Sequence, residues 1–133
     1  MDKLYYPAIF QKQEGGGYTV VVPDFDGCIT QGDSLSEARK MAVDAIGLCI
    51  EDLVERKLSV PTASDPTALK VQDGECVVLI DFDWAEYQKR NDQRVVKKTV
   101  TLPAWLNTLA EENHVNFSRM LQDALAEHLH LVQ

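Results

Sequence analysis

The chain has 133 residues, of which 45% are hydrophobic and 26% charged, and its formal net charge is −8. This composition is typical of a folded globular protein and argues against a disordered one. No apolar run approaches the ~20 residues that a membrane-spanning helix needs, and the first residues lack the features of a signal peptide. We therefore expect a cytoplasmic protein that does not contact a membrane.

Acidic side chains are concentrated in the front of the chain. Residues 1–90 carry 9 basic and 16 acidic side chains, a balance of −7, whereas residues 91–133 carry 4 and 5, a balance of −1. The overall charge argues against a nucleic-acid binder that relies on bulk positive charge. The acidic front favours either a basic partner or simple solubility.

The front of the chain predicts a sheet of four strands, because four runs are rich in β-branched and aromatic residues and are separated by turn residues. These runs are residues 3–12, 18–22, 28–31 and 76–80. Pro7 removes one backbone donor, which predicts an exposed edge or a bulge in the first strand. The fourth run is continuously apolar, so it fits a buried strand, and a central one if both faces are covered.

A long helix is predicted between the third and fourth strands. Ser34 and Glu37 form a capping box at its start, and it ends near Lys57. Apolar residues recur on one helical face over about five turns, at positions 38, 41, 42, 45, 46, 49, 50 and 53. Residues 81–87 begin a turn or short helix, and the charged stretch 89–93 marks a domain boundary.

The end of the chain predicts one strand followed by two helices. Residues 94–103 read as a short strand that has no partner within so small a unit. Its backbone groups and its apolar face therefore predict pairing with a second copy of the chain. Two such strands form a ribbon of the width that fits a DNA major groove.

Alternation along this strand places Lys97, Thr99 and Thr101 on one face. The opposite face carries Val100 and Leu102 towards the core. A cation and two hydroxyls can hydrogen-bond to base edges, so the first three residues are candidates for reading DNA. The alternative is that they form the solvated face of an edge strand.

The second of the two helices begins with a candidate phosphate site. Free backbone N–H groups at a helix start bind phosphate readily, and Arg119 adds a positive charge in the first turn. The residues expected to contact the DNA backbone are Asn116, Phe117, Ser118 and Arg119. The apolar faces that would be buried are Leu106, Leu109 and Ala110 in the first helix, and Phe117, Leu121, Leu125 and Leu129 in the second.

Neither the cysteines nor the histidines indicate catalysis or a metal. Cys28, Cys49 and Cys76 are widely spaced and form no C-x-x-C pair, so reduced, largely buried thiols are expected. The histidines do not form a metal set. Asp24 and Asp26 could bind Mg²⁺, but they lie in an evident turn, where Asp is favoured for backbone reasons. We predict no catalytic residue, no metal and no other cofactor.

Residues 17–33 read Gly-Tyr-Thr-Val-Val-Val-Pro-Asp-Phe-Asp-Gly-Cys-Ile-Thr-Gln-Gly-Asp. Together with Ser34 to Ala38 they resemble the HicB antitoxin pattern G-Y-x-V-x-x-P-D-x-x-G-C-x-T-x-G, and this resemblance covers about residues 3–85. Asp26 departs from it, because the family more often has proline there. The end of the chain resembles the ribbon–helix–helix repressors.

These resemblances imply an α+β protein with two domains. The first is a β-β-β-α-β, partial ribonuclease-H-like (HicB-like) toxin-binding domain at residues 1–87. A linker at 88–94 and a ribbon–helix–helix (β-α-α) domain at 95–133 follow, and the latter would bind DNA and form a homodimer. Whether dimers assemble further stays open.

The implied function is that of an antitoxin in a type II toxin–antitoxin system. Such a protein binds a HicA-type toxin, a small basic ribonuclease that cleaves mRNA, and represses its own operon at operator DNA. In the repressor family, the strand residues Lys97, Thr99 and Thr101 read bases and the second helix start contacts phosphate. We assign toxin contact to Asp24, Phe25 and Asp26 and expect no enzyme activity.

Two alternatives compete with this interpretation. One is a stand-alone ribbon–helix–helix repressor whose front domain senses a ligand. The other is a metal-dependent nuclease that uses Asp24, Asp26 or Asp81.

Overall fold

A computed structural model of the chain describes residues 3–131. The chain divides into two compact units, an N-terminal unit of residues 1–92 and a C-terminal unit of residues 93–133. Each unit is described separately below. The predicted domains 1–87 and 95–133 include residues 1, 2, 132 and 133, which lie outside the described residues.

The N-terminal unit contains one antiparallel sheet with the strand order β3-β2-β1-β4. Its strands are β1 (Lys3–Lys12), β2 (Tyr18–Val21), β3 (Ile29–Gly32) and β4 (Glu75–Asp83). The four predicted strands are therefore confirmed, with small shifts at their ends.

The apolar fourth strand does not meet the condition for a central position, namely that both of its faces are covered. β4 pairs with β1 and lies at the edge of the sheet. Only one of its faces is covered, since Ile80 and Phe82 are buried whereas Leu79 is 45% exposed. An apolar run that lacks polar alternation therefore does not establish that both faces of a strand are buried.

Pro7 lies where β1 has a partner strand on one side only. β1 pairs with β4 from Lys3 to Gln11, but its pairing with β2 is limited to the stretch from Ile9 to Lys12. The missing N–H of a proline is tolerated at such a position. Pro7 itself is fully buried, however, so the expected exposed edge is not found there.

The helix α1 (Leu35–Glu55) covers one face of the sheet. Its start is capped as predicted, because the Ser34 hydroxyl oxygen accepts a hydrogen bond from the Glu37 backbone N–H at 3.1 Å. Its end is followed by Lys57, whose φ of 57° is left-handed. The helix packs small and branched side chains onto the sheet, namely Ala38, Ala42, Ile46 and Ile50.

The hydrophobic core lies between α1 and the residues of each strand that face it. Alternate strand residues point to the same side of a sheet, and the even-numbered residues of β1 and β4 supply the largest buried side chains. The sheet contributes Tyr6, Ala8, Phe10, Val20, Ile80 and Phe82 to this core.

The predicted linker at 88–94 begins inside a helix, which corrects the boundary. The helix α2 spans Trp84–Asn91. Asp83 caps it by accepting a hydrogen bond from the Glu86 N–H at 3.2 Å, and Lys89 and Arg90 occupy its last turn, where positive charge suits the helix dipole. The charged sequence thus belongs to a capped helix and not to a flexible connection.

The C-terminal unit contains the two predicted helices, α3 (Ala104–Glu112) and α4 (Phe117–His128). Residues 92–103 carry no regular secondary structure. The prediction of a strand at 94–103 is therefore wrong for the single chain. A strand requires hydrogen bonds to a neighbouring strand, and the described residues of this unit provide none.

Candidate binding surfaces

The described residues of the C-terminal unit form no interior of their own. None of its described residues, 93–131, is buried. The apolar faces of both helices are exposed, with Leu106 at 40%, Leu121 at 39% and Leu125 at 52% of their full accessible surface. Val100 and Leu102, predicted to face a core, are 55% and 43% exposed. So much apolar surface in water is unfavourable, which indicates that this surface binds another molecule.

The three residues predicted to read bases lie in the stretch without secondary structure. Lys97, Thr99 and Thr101 are all exposed. In the single chain no strand holds them on a common face, so their predicted alignment depends on pairing of this segment.

The start of α4 is an ordered helix N-terminus. The Asn116 side-chain oxygen accepts a hydrogen bond from the Arg119 backbone N–H at 3.1 Å, so Asn116 caps the helix. The Arg119 Nε lies 3.4 Å from an Asp123 carboxylate oxygen. Phe117, which is 41% exposed, continues the apolar face of the helix. Among the predicted phosphate-contact residues, Ser118 and Arg119 offer polar side chains beside the backbone N–H groups that a helix start leaves open.

The loop after β2 places only one of the three predicted toxin-contact residues in the solvent. Phe25 is 5% exposed and packs edge-on against Tyr6, with ring centroids 4.7 Å apart. It therefore anchors the loop and does not present a binding side chain. Asp26 is exposed.

Asp24 has a structural position. Its carboxylate accepts hydrogen bonds from the Ser64 backbone N–H at 3.0 Å and from the Ser64 hydroxyl. The loop is thereby tied to the segment that joins α1 to β4. The Tyr6 hydroxyl holds the same segment by donating a 2.7 Å hydrogen bond to the Pro61 carbonyl. Burial, and secondarily the negative charge of Asp24, raises the pKa of Tyr6, so Tyr6 keeps the proton that it donates.

A groove of about 440 Å³ lies between this loop and α1. It is lined by Asp26, Leu48, Asp52 and Arg56, among others. Arg56 lies 3.2 Å from the Asp52 carboxylate, so one acidic group of the groove is already neutralised. Within residues 3–131 no cluster of His, Cys, Asp and Glu side chains is suited to holding a metal ion.

The cysteines differ in their surroundings. Burial, and secondarily the neighbouring Cys49 thiol, raises the pKa of Cys28 to about 12, so Cys28 is a protonated core thiol and a poor nucleophile. Cys76 is exposed, which contradicts the expectation of largely buried cysteines. The reason is the edge position of β4.

Sequence reasoning missed a second apolar face on the sheet. In β1, apolar residues occupy odd as well as even positions, with Tyr5 and Ile9 opposite to the core side. This loss of polar alternation is the signal in the sequence that could have indicated a second apolar face. Separately, no helix in residues 3–131 is both long and apolar enough to cross a bilayer.

Comparison with known proteins gives a consistent result. The sequence profile of the HicB_like antitoxins of bacterial toxin–antitoxin systems matches residues 6–125. An uncharacterised 14.9 kDa protein from the rep–hol intergenic region of Haemophilus phage HP1 is 33% identical over 107 residues, which is 77% of this chain and 76% of that protein. Antitoxin HicB 1 of Photorhabdus laumondii is 39% identical over 61 residues, 46% of this chain and 39% of that protein.

Solved structures with the same fold include toxin–antitoxin proteins. A toxin–antitoxin complex from Streptococcus pneumoniae matches with a TM-score of 0.60 and 30% identity, over 95% of this chain and 99% of that chain. The Burkholderia pseudomallei antitoxin HicB matches with a TM-score of 0.55 and 25% identity, over 95% and 98%. A chain of the HicA3 and HicB3 toxin–antitoxin complex matches with a TM-score of 0.51 and 25% identity, over 60% and 99%.

Proposed function

Because the chain belongs to the HicB-like antitoxin family of bacterial toxin–antitoxin systems, we propose that it binds and neutralises a HicA-type toxin and represses its own operon. In this proposal the N-terminal unit captures the toxin. The C-terminal unit forms a homodimer that binds operator DNA. The chain itself catalyses no reaction.

The observation that carries the dimer is the absence of any buried residue among residues 93–131. Association with a second copy would cover the apolar faces of α3 and α4. It would also give residues 95–103 a partner strand, which a strand requires. An interface of this kind resembles a protein core divided between two chains, which is typical of obligate dimers.

Pairing of the two segments would produce the DNA-reading surface. In a paired strand, Val100 and Leu102 turn towards the helices. Lys97, Thr99 and Thr101 then lie together on the outer face, where a two-stranded ribbon enters the major groove. The N-terminus of α4, with Ser118 and Arg119, would contact the DNA backbone.

Two observations support toxin capture by the N-terminal unit. Structures of toxin–antitoxin complexes, one of them of HicA3 and HicB3, share the fold of this chain. In addition, residues 1–90 carry a balance of −7, which complements a small basic protein and speeds its association.

Substitutions in the ribbon test the division of labour. We expect Lys97→Ala and Thr99→Ala each to weaken operator binding by about 1–3 kcal/mol if they contact bases, and to leave toxin inhibition unchanged. Lys70→Ala, which removes the same charge from an exposed position of the N-terminal unit, is the control. Operator affinity is measured by fluorescence anisotropy and toxin activity by RNA cleavage. An equal loss of inhibition in the ribbon variants would show that the two functions are not separate.

A further inference from the structure

We propose that the face of the sheet opposite to α1 is the surface on which the toxin docks. We call it the open sheet face and define it by the apolar residues Tyr5, Ile9, Val21, Ile29, Val77 and Leu79; Pro7 lies on the same face but is itself fully buried. The inference rests on the proposed function and names the place where the partner binds.

Strand register brings these residues into one continuous patch. Val77 pairs with Ile9, Ile9 with Val21, and Val21 with Ile29, so a single apolar row crosses all four strands. Pro7 pairs with Leu79 in the next row. Directly opposite residues of neighbouring strands have their side chains on the same face, so both rows belong to one surface.

The helices of the N-terminal unit pack on the other face of the sheet and leave much of this surface exposed, although Ile9, Val21 and Val77 are half-buried. α1 packs against the residues of the opposite face, and the Tyr87 ring of α2 lies 5.6 Å from Phe82 on that same side. Ile29 is 64% exposed and Tyr5 51% exposed, whereas Tyr6 and Phe10 on the core face are 1% and 2% exposed. A contiguous apolar patch of this kind marks an interaction site.

The charges around the patch favour a basic partner over a second copy of the chain. Asp81 pairs with Tyr5, Glu75 with Gln11, and Asp83 with Lys3, so three carboxylates and one ammonium group border the patch. Two copies placed face to face would bring like charges together, which is unfavourable. A protein surface with an apolar centre and a basic rim would complement both features, and a small basic toxin has the required charge.

The groove beside α1 is a weaker candidate for the same role. Phe25 is buried there, and Asp24 and Asp52 already have partners in Ser64 and Arg56. Few of its groups are therefore available to a partner, whereas the open sheet face offers its side chains directly.

Charged substitutions in the two surfaces distinguish them. We expect Ile29→Asp and Leu79→Asp to weaken the complex of the full chain with a small basic HicA-type toxin by about 30-fold or more, the size of effect that a central interface residue has. Val54→Asp is the matched control, because Val54 is also 45% exposed but lies on α1. It should change the affinity less than about twofold, as expected for a position outside an interface.

The outcomes separate this inference from the proposed function. If the wild-type chain does not bind the basic protein, the proposed function fails and the inference fails with it. If the wild type binds and both open-face variants bind equally well, only the inference is overturned. Selective loss in Leu48→Asp would place the toxin in the groove. A change in the mass of the toxin-free chain caused by Ile29→Asp would show that a second copy covers the open sheet face.

A cysteine-labelling experiment tests the same surface without the aspartate variants, which could fail to fold. The variants are Ile29→Cys and, as a control, Val54→Cys. Both are made in a Cys76→Ser background, which lacks the exposed natural thiol. Alkylation of the cysteine at position 29 should slow at least ~10-fold when the toxin is added, while alkylation at position 54 should be unaffected, since only buried thiols are shielded from reagent. Equal rates with and without toxin at both positions would overturn the inference.

Discussion

Gly47 sets the distance between two helices of the N-terminal unit. A Cβ atom at this position would lie 2.1 Å from Cε2 of the Tyr87 ring, far inside contact distance. The ring is held by its neighbours, because it stacks on Trp84 at a centroid distance of 6.0 Å. The glycine lies in the middle of α1, where its helix propensity is unfavourable by ~1 kcal/mol relative to alanine. The close approach of Tyr87 is the reason that a side chain is not accommodated.

Replacement of Gly47 by alanine should therefore destabilise the chain although alanine is the better helix former. We expect Gly47→Ala to lower the free energy of unfolding by about 1–3 kcal/mol, the usual range for an overpacked core. Urea denaturation measures this value. In a Tyr87→Ala background the same substitution should be neutral or stabilising by up to ~1 kcal/mol. Equal destabilisation in both backgrounds would contradict the contact.

Cys28 makes the stability of the fold sensitive to alkaline pH. Its pKa lies at about 12 in the folded chain because of burial, well above the ~8.5 of a free thiol. The folded chain therefore retains a proton that the unfolded chain loses. The stabilisation is complete below about pH 8.5 and falls as the pH rises towards 12.

The alkaline sensitivity is measurable as the difference between urea midpoints at about pH 8 and about pH 10.5. This difference should be smaller in Cys28→Ala than in the wild type. Cys76→Ala, which removes an exposed thiol, should leave it unchanged. Part of the difference will remain in both variants, because the pKa values of Tyr6 and Tyr87 are also raised, mainly by burial. An identical difference in all three proteins would exclude Cys28 as a contributor.

Elements with local signals were predictable from the sequence. The capping residue Ser34 and the apolar spacing after it place α1, and Asn116 places the start of α4. The position of β4 at the sheet edge was not predictable, because strand order depends on which side of β1 remains open. The segment 94–103 was read as a strand from its own residues, but strand structure also requires a partner. Of the candidate sites, toxin contact by Asp24 to Asp26 stays a prediction, and the burial of Phe25 appears only in three dimensions.

The apolar face of α4 provides a test of the dimer at the level of this element. Leu125→Asp introduces a charge into the exposed apolar stripe of α4. Because an unpaired charge is costly in an apolar interface, we expect the mass measured by light scattering to fall from that of a dimer to that of a monomer. Gln122→Asp adds the same charge at an exposed polar position of the same helix and should remain dimeric. A dimer that persists in Leu125→Asp would show that α4 lies outside the interface.

The whole molecule combines a unit with its own core and a unit without one. The N-terminal unit buries Tyr6, Phe10 and Phe82 against α1, whereas the described residues of the C-terminal unit bury nothing. We therefore expect the first unit to fold alone and the second to fold only on association, as the proposed dimer requires. When folding is coupled to association, the stability of the folded state depends on the protein concentration.

Separate expression of the two units tests this difference. We expect the melting temperature of residues 1–92 to be independent of protein concentration, and that of residues 93–133 to rise with concentration, as mass action requires for a dimer. Circular dichroism over a 100-fold dilution series measures both melting temperatures. By mass action, this range of concentration changes the stability of a dimer by ~3 kcal/mol. A concentration-independent transition of residues 93–133 would contradict obligate pairing.

The edge position of β4 has a consequence for the solubility of the chain. Within residues 3–131 no strand pairs with the outer side of this nine-residue strand, and an open edge is a template for aggregation. Glu75 and Asp81 lie near its two ends and act as gatekeepers, because their charges repel the same edge on another copy. The net charge of the whole chain falls towards zero as the pH falls towards the isoelectric point of about 4.7, which weakens the repulsion between copies. Mild acid should therefore cause edge-to-edge aggregation of folded molecules before it unfolds them.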